Sequence, residues 1–288
     1  MKRRDFLNWS AATAAAAVAI PAARADVPPA PAGSSAADPA GEGPATEETA
    51  DGNSGAESSA AQAVLEWRTY QVQDAAKRDF VSAYLQRAAL PAWQRLGVGP
   101  VGVFLEVGQE PDPALHVLLS YPDAEAFVAA RQAMERDEKY RADAADYLAA
   151  SKDDPAFVRI ASELLLAFAG APQVIPPQQR PRLYELRTYE SHSESKARRK
   201  IDMFNDGEIE IFGKCGFEPV FFGETLIGPR LPNLKYMLAS PDLDANQASW
   251  KRFVEHPDWL QIRDLPKYAD TVSQIDKRFL TPTEYSQL

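Results

Sequence analysis

From residue 65 onward the chain sets short runs of β-formers between longer segments whose apolar positions recur at helical spacing, and it does so twice. Leu65-Glu66-Trp67-Arg68-Thr69-Tyr70 returns as Tyr184-Glu185-Leu186-Arg187-Thr188-Tyr189, shifted by 119 residues. The same shift aligns Lys77 with Lys196, Gly97 with Gly216, Pro100-Val101 with Pro219-Val220 and Pro122-Asp123 with Pro241-Asp242. Towards the end, a shift of 111 pairs Ser162 with Ser273 and Phe168 with Phe279, which implies about eight extra first-copy residues around Leu148 to Asp154. One shift held over such a span marks a tandem duplication, read as two units because a solenoid needs three or more short repeats. The proline-rich stretch Pro172 to Pro181 is the natural join.

Each copy predicts the same elements. In the second, Tyr184 to Tyr189 reads as a strand. Ser195 to Cys215 reads as a helix, with Ala197, Ile201, Phe204, Ile211 and Cys215 at helical spacing and Gly216 as its stop. Pro219 to Leu226 and Leu234 to Ala239 follow as strands, and Asp242 or Asp244 can cap a helix carrying Trp250 and Phe253. A short last element lies near Thr271 to Phe279. Pro91 is expected to kink the first copy's first helix. The order β-α-β-β-α-β is the ferredoxin-like pattern. A sheet backed by helices on one side must cover its other face. The expected fold is therefore α+β, two tandem ferredoxin-like βαββαβ repeats whose sheets meet face to face in a pseudo-dimeric α+β barrel within one chain. The alternative pairs each copy with its counterpart in a second chain.

The second copy resembles the NIPSNAP family, through Tyr184 to Tyr189, the Phe253/His256-Pro257/Trp259 cluster and the terminal Leu280-Thr281-Pro282-Thr283-Glu284-Tyr285-Ser286-Gln287-Leu288. The first copy is a divergent relative that keeps the strand motif but lacks the His-Pro pair. The resemblance implies a dimeric α/β-barrel fold, in a superfamily that also includes cofactor-free monooxygenases and haem peroxidases. It implies no agreed reaction.

The first 61 residues carry a different pattern. Met1-Lys2-Arg3-Arg4-Asp5-Phe6-Leu7, an alanine-rich run from Trp9 to Ile20 and Ala23-Arg24-Ala25 read as an export signal, cleaved after Ala25. The apolar run of 12 residues is well short of the ~20 that span a bilayer. The paired arginines before Phe6-Leu7 look like a twin-arginine signal, giving a periplasmic or extracellular destination. Residues 26–61 form an acidic Ala/Pro/Gly/Ser tether that cannot bury enough apolar surface to order itself. The domains are thus 1–25, 26–61, a divergent repeat at 62–176 and a second at 181–288. Removing the leader's +3 and the tether's −7 from the net −10 leaves −6 on residues 61–288. That balance argues against nucleic acid and against docking on anionic lipid once the signal is cleaved. A single cysteine excludes a disulfide framework and multi-cysteine metal sites.

Candidate chemistry centres on the repeated strand. Alternation places Glu185, Arg187 and Tyr189 on one face and Tyr184, Leu186 and Thr188 on the other, with Glu66, Arg68 and Tyr70 equivalent in the first copy. With the Leu186 face taken against the helices, both triplets point into the space between the sheets. There Arg68 or Arg187, with Tyr70 or Tyr189, would bind an anionic or carbonyl ligand, and Glu66 or Glu185 could act as a base. The plainer reading is a self-satisfied Glu–Arg–Tyr network, since unpaired buried charges are costly. His256, before Pro257 near a helix end, is a second acid/base candidate beside Glu185, although helix-end histidines more often cap or pack. No two histidines have ligand spacing, so no metal site and no cofactor is expected. Gly97-Val98-Gly99-Pro100-Val101-Gly102 matches G-x-G-x-x-G only formally, because its order is helix, glycines, strand rather than strand, glycines, helix. Cys215 sits on an apolar helix stripe and reads as structural.

Three functions fit this sequence: an exported protein binding a small, partly apolar molecule in the barrel interior, a cofactor-free oxygenase or isomerase, or a non-enzymatic interaction module. A homo-oligomer is compatible with each. A cavity of on the order of 300 Å³ or more favours the first two over the third.

Overall fold

The computed structural model of the chain describes residues 61–108, 113–178 and 182–288. The expected leader and all but the last residue of the expected tether lie outside the described residues. The first copy runs β1 (Val64–Gln71), α1 (Ala75–Tyr84), a π-helical turn (Leu85–Ala89), α2 (Leu90–Arg95), β2 (Gly102–Glu106) and β3 (Leu115–Tyr121). It continues through α3 (Ala124–Arg136), α4 (Glu138–Asp143) and α5 (Ala145–Leu148) to β4 (Arg159–Ala167). The second copy runs β5 (Leu183–Glu190), α6 (Glu194–Met203), a π-helical turn (Phe204–Glu208), α7 (Ile209–Lys214), β6 (Glu218–Ile227) and β7 (Asn233–Ser240). It ends with α8 (Leu243–Glu255), α9 (Pro257–Arg263) and β8 (Gln274–Pro282).

Local chemistry sets these boundaries twice over. Asp74 and Ser193 cap α1 and α6, and Asp123 and Asp242 cap α3 and α8, each accepting a backbone N–H three residues on. Such a cap satisfies one of the orphan donors of a helix N-terminus. The first copy's first helix is interrupted next to Pro91, as expected. The interruption is the π-helical turn ahead of α2, and the second copy has the same turn with Glu210 at the matching position. Pro91 follows the turn by two residues, in backbone that stays helical through Ala89 and Leu90, so the second copy shows that the turn forms without a proline.

Eight antiparallel strands close into one barrel in the order β1-β3-β2-β8-β5-β7-β6-β4. Each copy contributes its ferredoxin-like order, β4-β1-β3-β2 and β8-β5-β7-β6. The sheets do not simply stack: they join edge to edge through β2–β8 and β4–β6. Closure removes the open edges that a lone four-stranded sheet would present. The copies also exchange the segments after their last strands. Phe168 N–H donates to Phe222 O and Ile175 N–H to Val220 O, while Thr283 N–H donates to Val103 O and Gln287 N–H to Val101 O.

The register corrects the alignment of the last strands. Leu65 faces Leu165 and Tyr184 faces Leu280, so with 65 matching 184, Leu165 matches Leu280 at a shift of 115. Ile160 likewise matches Ile275, and the first copy carries four extra residues rather than eight. Shifts of 111 and 115 differ by an even number, so both preserve strand alternation and pattern alone cannot separate them.

Two apolar compartments result. Outside the first sheet, Val64, Tyr70, Val103, Val117 and Leu119 pack with helix residues such as Val81, Leu85 and Trp93. Inside the barrel, Leu65, Trp67, Phe104, Leu118, Tyr184, Leu186, Met237 and Leu280 form one buried cluster. Phe104 lies edge-on to Tyr184 at 4.9 Å and stacks with Trp67 at 6.2 Å. Further along the same strands the inward positions become charged. Lys235 Nζ meets Thr188 Oγ1 at 2.9 Å and Glu163 at 3.2 Å, and Arg278 meets Glu106 at 3.3 Å. Burial pulls the Lys235 ammonium below its ordinary pKa, partly opposed by Glu163.

Candidate functional site

The Leu186 face of β5 and the Trp67 face of β1 belong to the barrel interior. Glu185, Arg187 and Tyr189, and Glu66, Arg68 and Tyr70, therefore face the helices, and the expectation that both triplets line the space between the sheets is corrected. Strand alternation separates the two faces but does not orient them. The more apolar face fills the barrel, where an eight-stranded lumen is just wide enough for side chains.

In the second copy the triplet sits at the centre of a buried network. Glu185 Oε1 accepts from Arg187 Nε at 2.7 Å, and Oε2 accepts from Asn246 Nδ2 at 2.9 Å and Trp250 Nε1 at 2.6 Å, both on α8. The Arg187 guanidinium lies 3.7 Å from the centre of the Trp250 ring. It also donates to the Tyr189 hydroxyl at 3.3 Å, which is 2.8 Å from that of Tyr236. Burial works against the charge on Arg187, but Tyr236, Tyr189 and Glu185 outweigh it and its pKa is raised. Burial also lifts the Tyr236 phenol well above its ordinary range. Beside this network, Lys200 Nζ on α6 donates to Glu208 at 2.6 Å, with both side chains almost fully buried. Burial pushes the Glu208 carboxyl up, while Lys200 and Arg187 hold it back.

The first copy repeats the triplet but not the network. Glu66 is gripped by Arg68 through Nε at 2.9 Å and Nη2 at 2.8 Å, and it accepts from Tyr121 at 3.2 Å and Ser162 at 2.5 Å. Arg68 also donates to Tyr70 at 3.2 Å, and its side chain keeps 14% exposure against zero for Glu66. The Tyr84 and Tyr140 hydroxyls meet at 3.0 Å, and Tyr84 stacks on Tyr147 at 3.5 Å.

His256 takes the plainer role. It is the N-cap of α9, its Nδ1 accepting from the Asp258 N–H at 3.2 Å, and it shares no hydrogen bond with Glu185. The two residues expected to act as acid and base are thus not joined. Cys215 ends α7 fully buried, and burial raises its pKa despite Arg252. The Gly97 to Gly102 segment leads from α2 into β2, the order that rules out a dinucleotide loop. Among the described residues no group of His, Cys, Asp or Glu is arranged to hold a metal ion, and no helix is long and apolar enough to cross a membrane.

Sequence reasoning missed Lys200, Glu208 and Asn246. One signal was present: Glu208 falls four residues after Phe204 and three before Ile211, on the helix's apolar stripe. A charge placed there must be buried with a partner.

A cavity of about 540 Å³ opens beside the second copy's network. The segment after β4 forms one wall through Gly170, Pro172 and Ile175, and Ile209, Phe217 and Phe222 form the other. In the first copy the corresponding segment is shorter: four residues separate its two cross-copy bonds, Thr283 to Gln287, against seven from Phe168 to Ile175. Tyr285 packs against the first-copy core and meets Ser82 Oγ through its hydroxyl at 2.8 Å. A second cavity of about 500 Å³ lies between α1 and the residues after α5, spanned by the Lys77–Asp154 ion pair.

No curated protein matches the sequence. Solved structures do match the fold. A protein from Lactobacillus acidophilus NCFM named "putative monooxygenase" is 9% identical, with 77% of this chain covering 94% of that one at a TM-score of 0.54. An anthrone oxidase-like protein is 7% identical, covering 77% and 92% at 0.50. A NIPSNAP family protein of unknown function from Agrobacterium tumefaciens C58 is 24% identical over 40% of this chain and 99% of that one, at 0.34. The NIPSNAP family profile matches residues 65–171 and again 184–287. Two family domains thus account for both halves of the closed barrel, and the chain belongs to the NIPSNAP family.

Proposed function

We propose that this chain is an exported protein that binds a small, largely apolar molecule, and that the molecule sits in the cavity between the 170–178 segment and β6/α7 rather than in the barrel interior. The observation that carries this reading is the cavity itself. Its volume of about 540 Å³ falls within the ~300–1,000 Å³ typical of ligand sites. The barrel interior, by contrast, is taken up by its own side chains. Ile175 is 55% exposed on the cavity's rim, so Ile175→Arg places a charge there without touching the core. Screening a metabolite library by thermal shift should find compounds that stabilise the wild type and lose that effect in Ile175→Arg. Stabilisation that is equal in both proteins would rule out this cavity as the site.

The neighbours' names keep an oxygenase reading in view, but Glu185 suits it poorly as a base. Its oxygens already accept from Arg187, Asn246 and Trp250, and taking up a proton would cost those bonds. Export rests on the leader alone. Replacing Arg3 and Arg4 by lysine should leave the protein in the cytoplasm when cell fractions are blotted, whereas continued export would point to another route.

A further inference from the structure

The two copies control for each other. Their helices begin and end at matching positions: Ala75–Tyr84 with Glu194–Met203, Leu85–Ala89 with Phe204–Glu208, and Leu90–Arg95 with Ile209–Lys214. Lys200 therefore stands where the first copy has Val81, and Glu208 where it has Ala89. Val81 and Ala89 are fully buried, so the same kind of helix docks on the same kind of sheet with an apolar pair in these places. Replacing a buried ion pair by apolar side chains is often neutral or stabilising, whereas removing one partner leaves a stranded charge. Asn246, too, has an apolar counterpart, Phe127. Folding alone therefore does not account for Lys200 and Glu208.

Their surroundings point to a ligand. Lys200 Nζ lies 4.6 Å from the Phe204 ring centre and 5.6 Å from those of Tyr189 and Trp259. Phe204 in turn meets Phe222, a wall of the cavity, at 5.6 Å. Ile209, the residue after Glu208, lines the same cavity, and Asn205, in the same turn as Glu208, accepts from the N–H of Gly170, another lining residue. The pair thus sits one aromatic ring behind the cavity wall.

We propose that Lys200 and Glu208 are the polar end of the second-copy site, recognising an aromatic molecule that carries a phenol or enol hydroxyl. The hydroxyl donates to Glu208 and its oxygen accepts from Lys200, replacing the bond that the pair makes to itself. The aromatic body lies among Phe204, Phe222 and Trp259, one of whose rings turns aside to admit it. This inference rests on the cavity reading above and names the ligand class for it.

Equilibrium dialysis with naphthalene and β-naphthol tests it, on the wild type and on the double variant Lys200→Val/Glu208→Ala, which installs the first copy's own residues. The double variant should melt at or above the wild-type temperature, while Glu208→Ala alone melts lower. The double variant should bind β-naphthol roughly tenfold more weakly, the expected effect of losing a hydrogen bond to a charged group, with naphthalene unchanged. A double variant that melts as low as the single one makes the pair structural and overturns the proposal, as does β-naphthol binding that the double variant leaves intact. If naphthalene fails to bind the wild type but β-naphthol binds through the pair, the cavity reading falls and the pair stands. If neither probe binds the wild type, both fall.

Discussion

At the scale of single residues, the repeated Glu–Arg–Tyr strand motif has one chemistry and two degrees of enclosure. Arg187 is 8% exposed and stacked on Trp250, while Arg68 keeps an edge to solvent 5.5 Å from the Trp93 ring. Both carboxylates are saturated by donors, which is what permits their burial. The surface charges offer a simpler test. Asp137 caps α4 through the Tyr140 N–H and holds Arg95, and those bonds, the backbone one first, lower its pKa from the ordinary 3.8. A carboxylate depressed in the folded state contributes stability that is present above its unfolded pKa and is lost as pH falls through the folded value. Asp137→Asn keeps a good capping side chain but removes the charge. Urea denaturation followed from neutral into strong acid should therefore show a shallower loss of stability below 3.8 for the variant than for the wild type.

At the scale of elements, strands and capped helices were readable because each is specified locally. Of the two expected caps, Asp242 and Asp244, it is Asp242 that caps α8, and the strand at 183–190 extends the expected one by a residue at either end. The π-helical turns were not readable. Pro91 marked an interruption in the first copy but not its π-helical form, and the second copy has such a turn without a proline. In the second copy the turn contains Gly207 at a φ of 145°, with Ile262 so close that a β-carbon would meet it at 2.9 Å. This turn carries Glu208 into the buried layer, in keeping with the frequent use of π-turns at functional sites. The site residues split in the same way. Glu185, Arg187 and Tyr189 could be named from a strand's alternation, but Asn246, Trp250 and Lys200 reach them from two other elements.

At the scale of the whole molecule, duplication lets one chain do what paired subunits would otherwise do. Each sheet lends an edge strand to the other, and each copy's trailing segment runs along the other's strand. A half-chain carrying residues 182–288 would expose the edges of β6 and β8 and leave its inner apolar face uncovered. Such a half should self-associate, rebuilding eight strands from two copies, and light scattering should report a dimer. A folded monomeric half would show that closure is not what covers the inner face.

The sequence by itself determined the duplication, the order of elements in each copy and the pair of charged strand motifs, because periodicity, caps and turn residues act within a few residues of one another. Tertiary structure decided which strand face turns inward, where the last strands align and which polar side chains meet. Those outcomes depend on how much volume the closed lumen can hold and on contacts between residues far apart in the chain, such as Trp250 and Glu185, 65 positions apart, or Ser82 and Tyr285, 203 apart. Neither quantity is written in any local stretch of the chain.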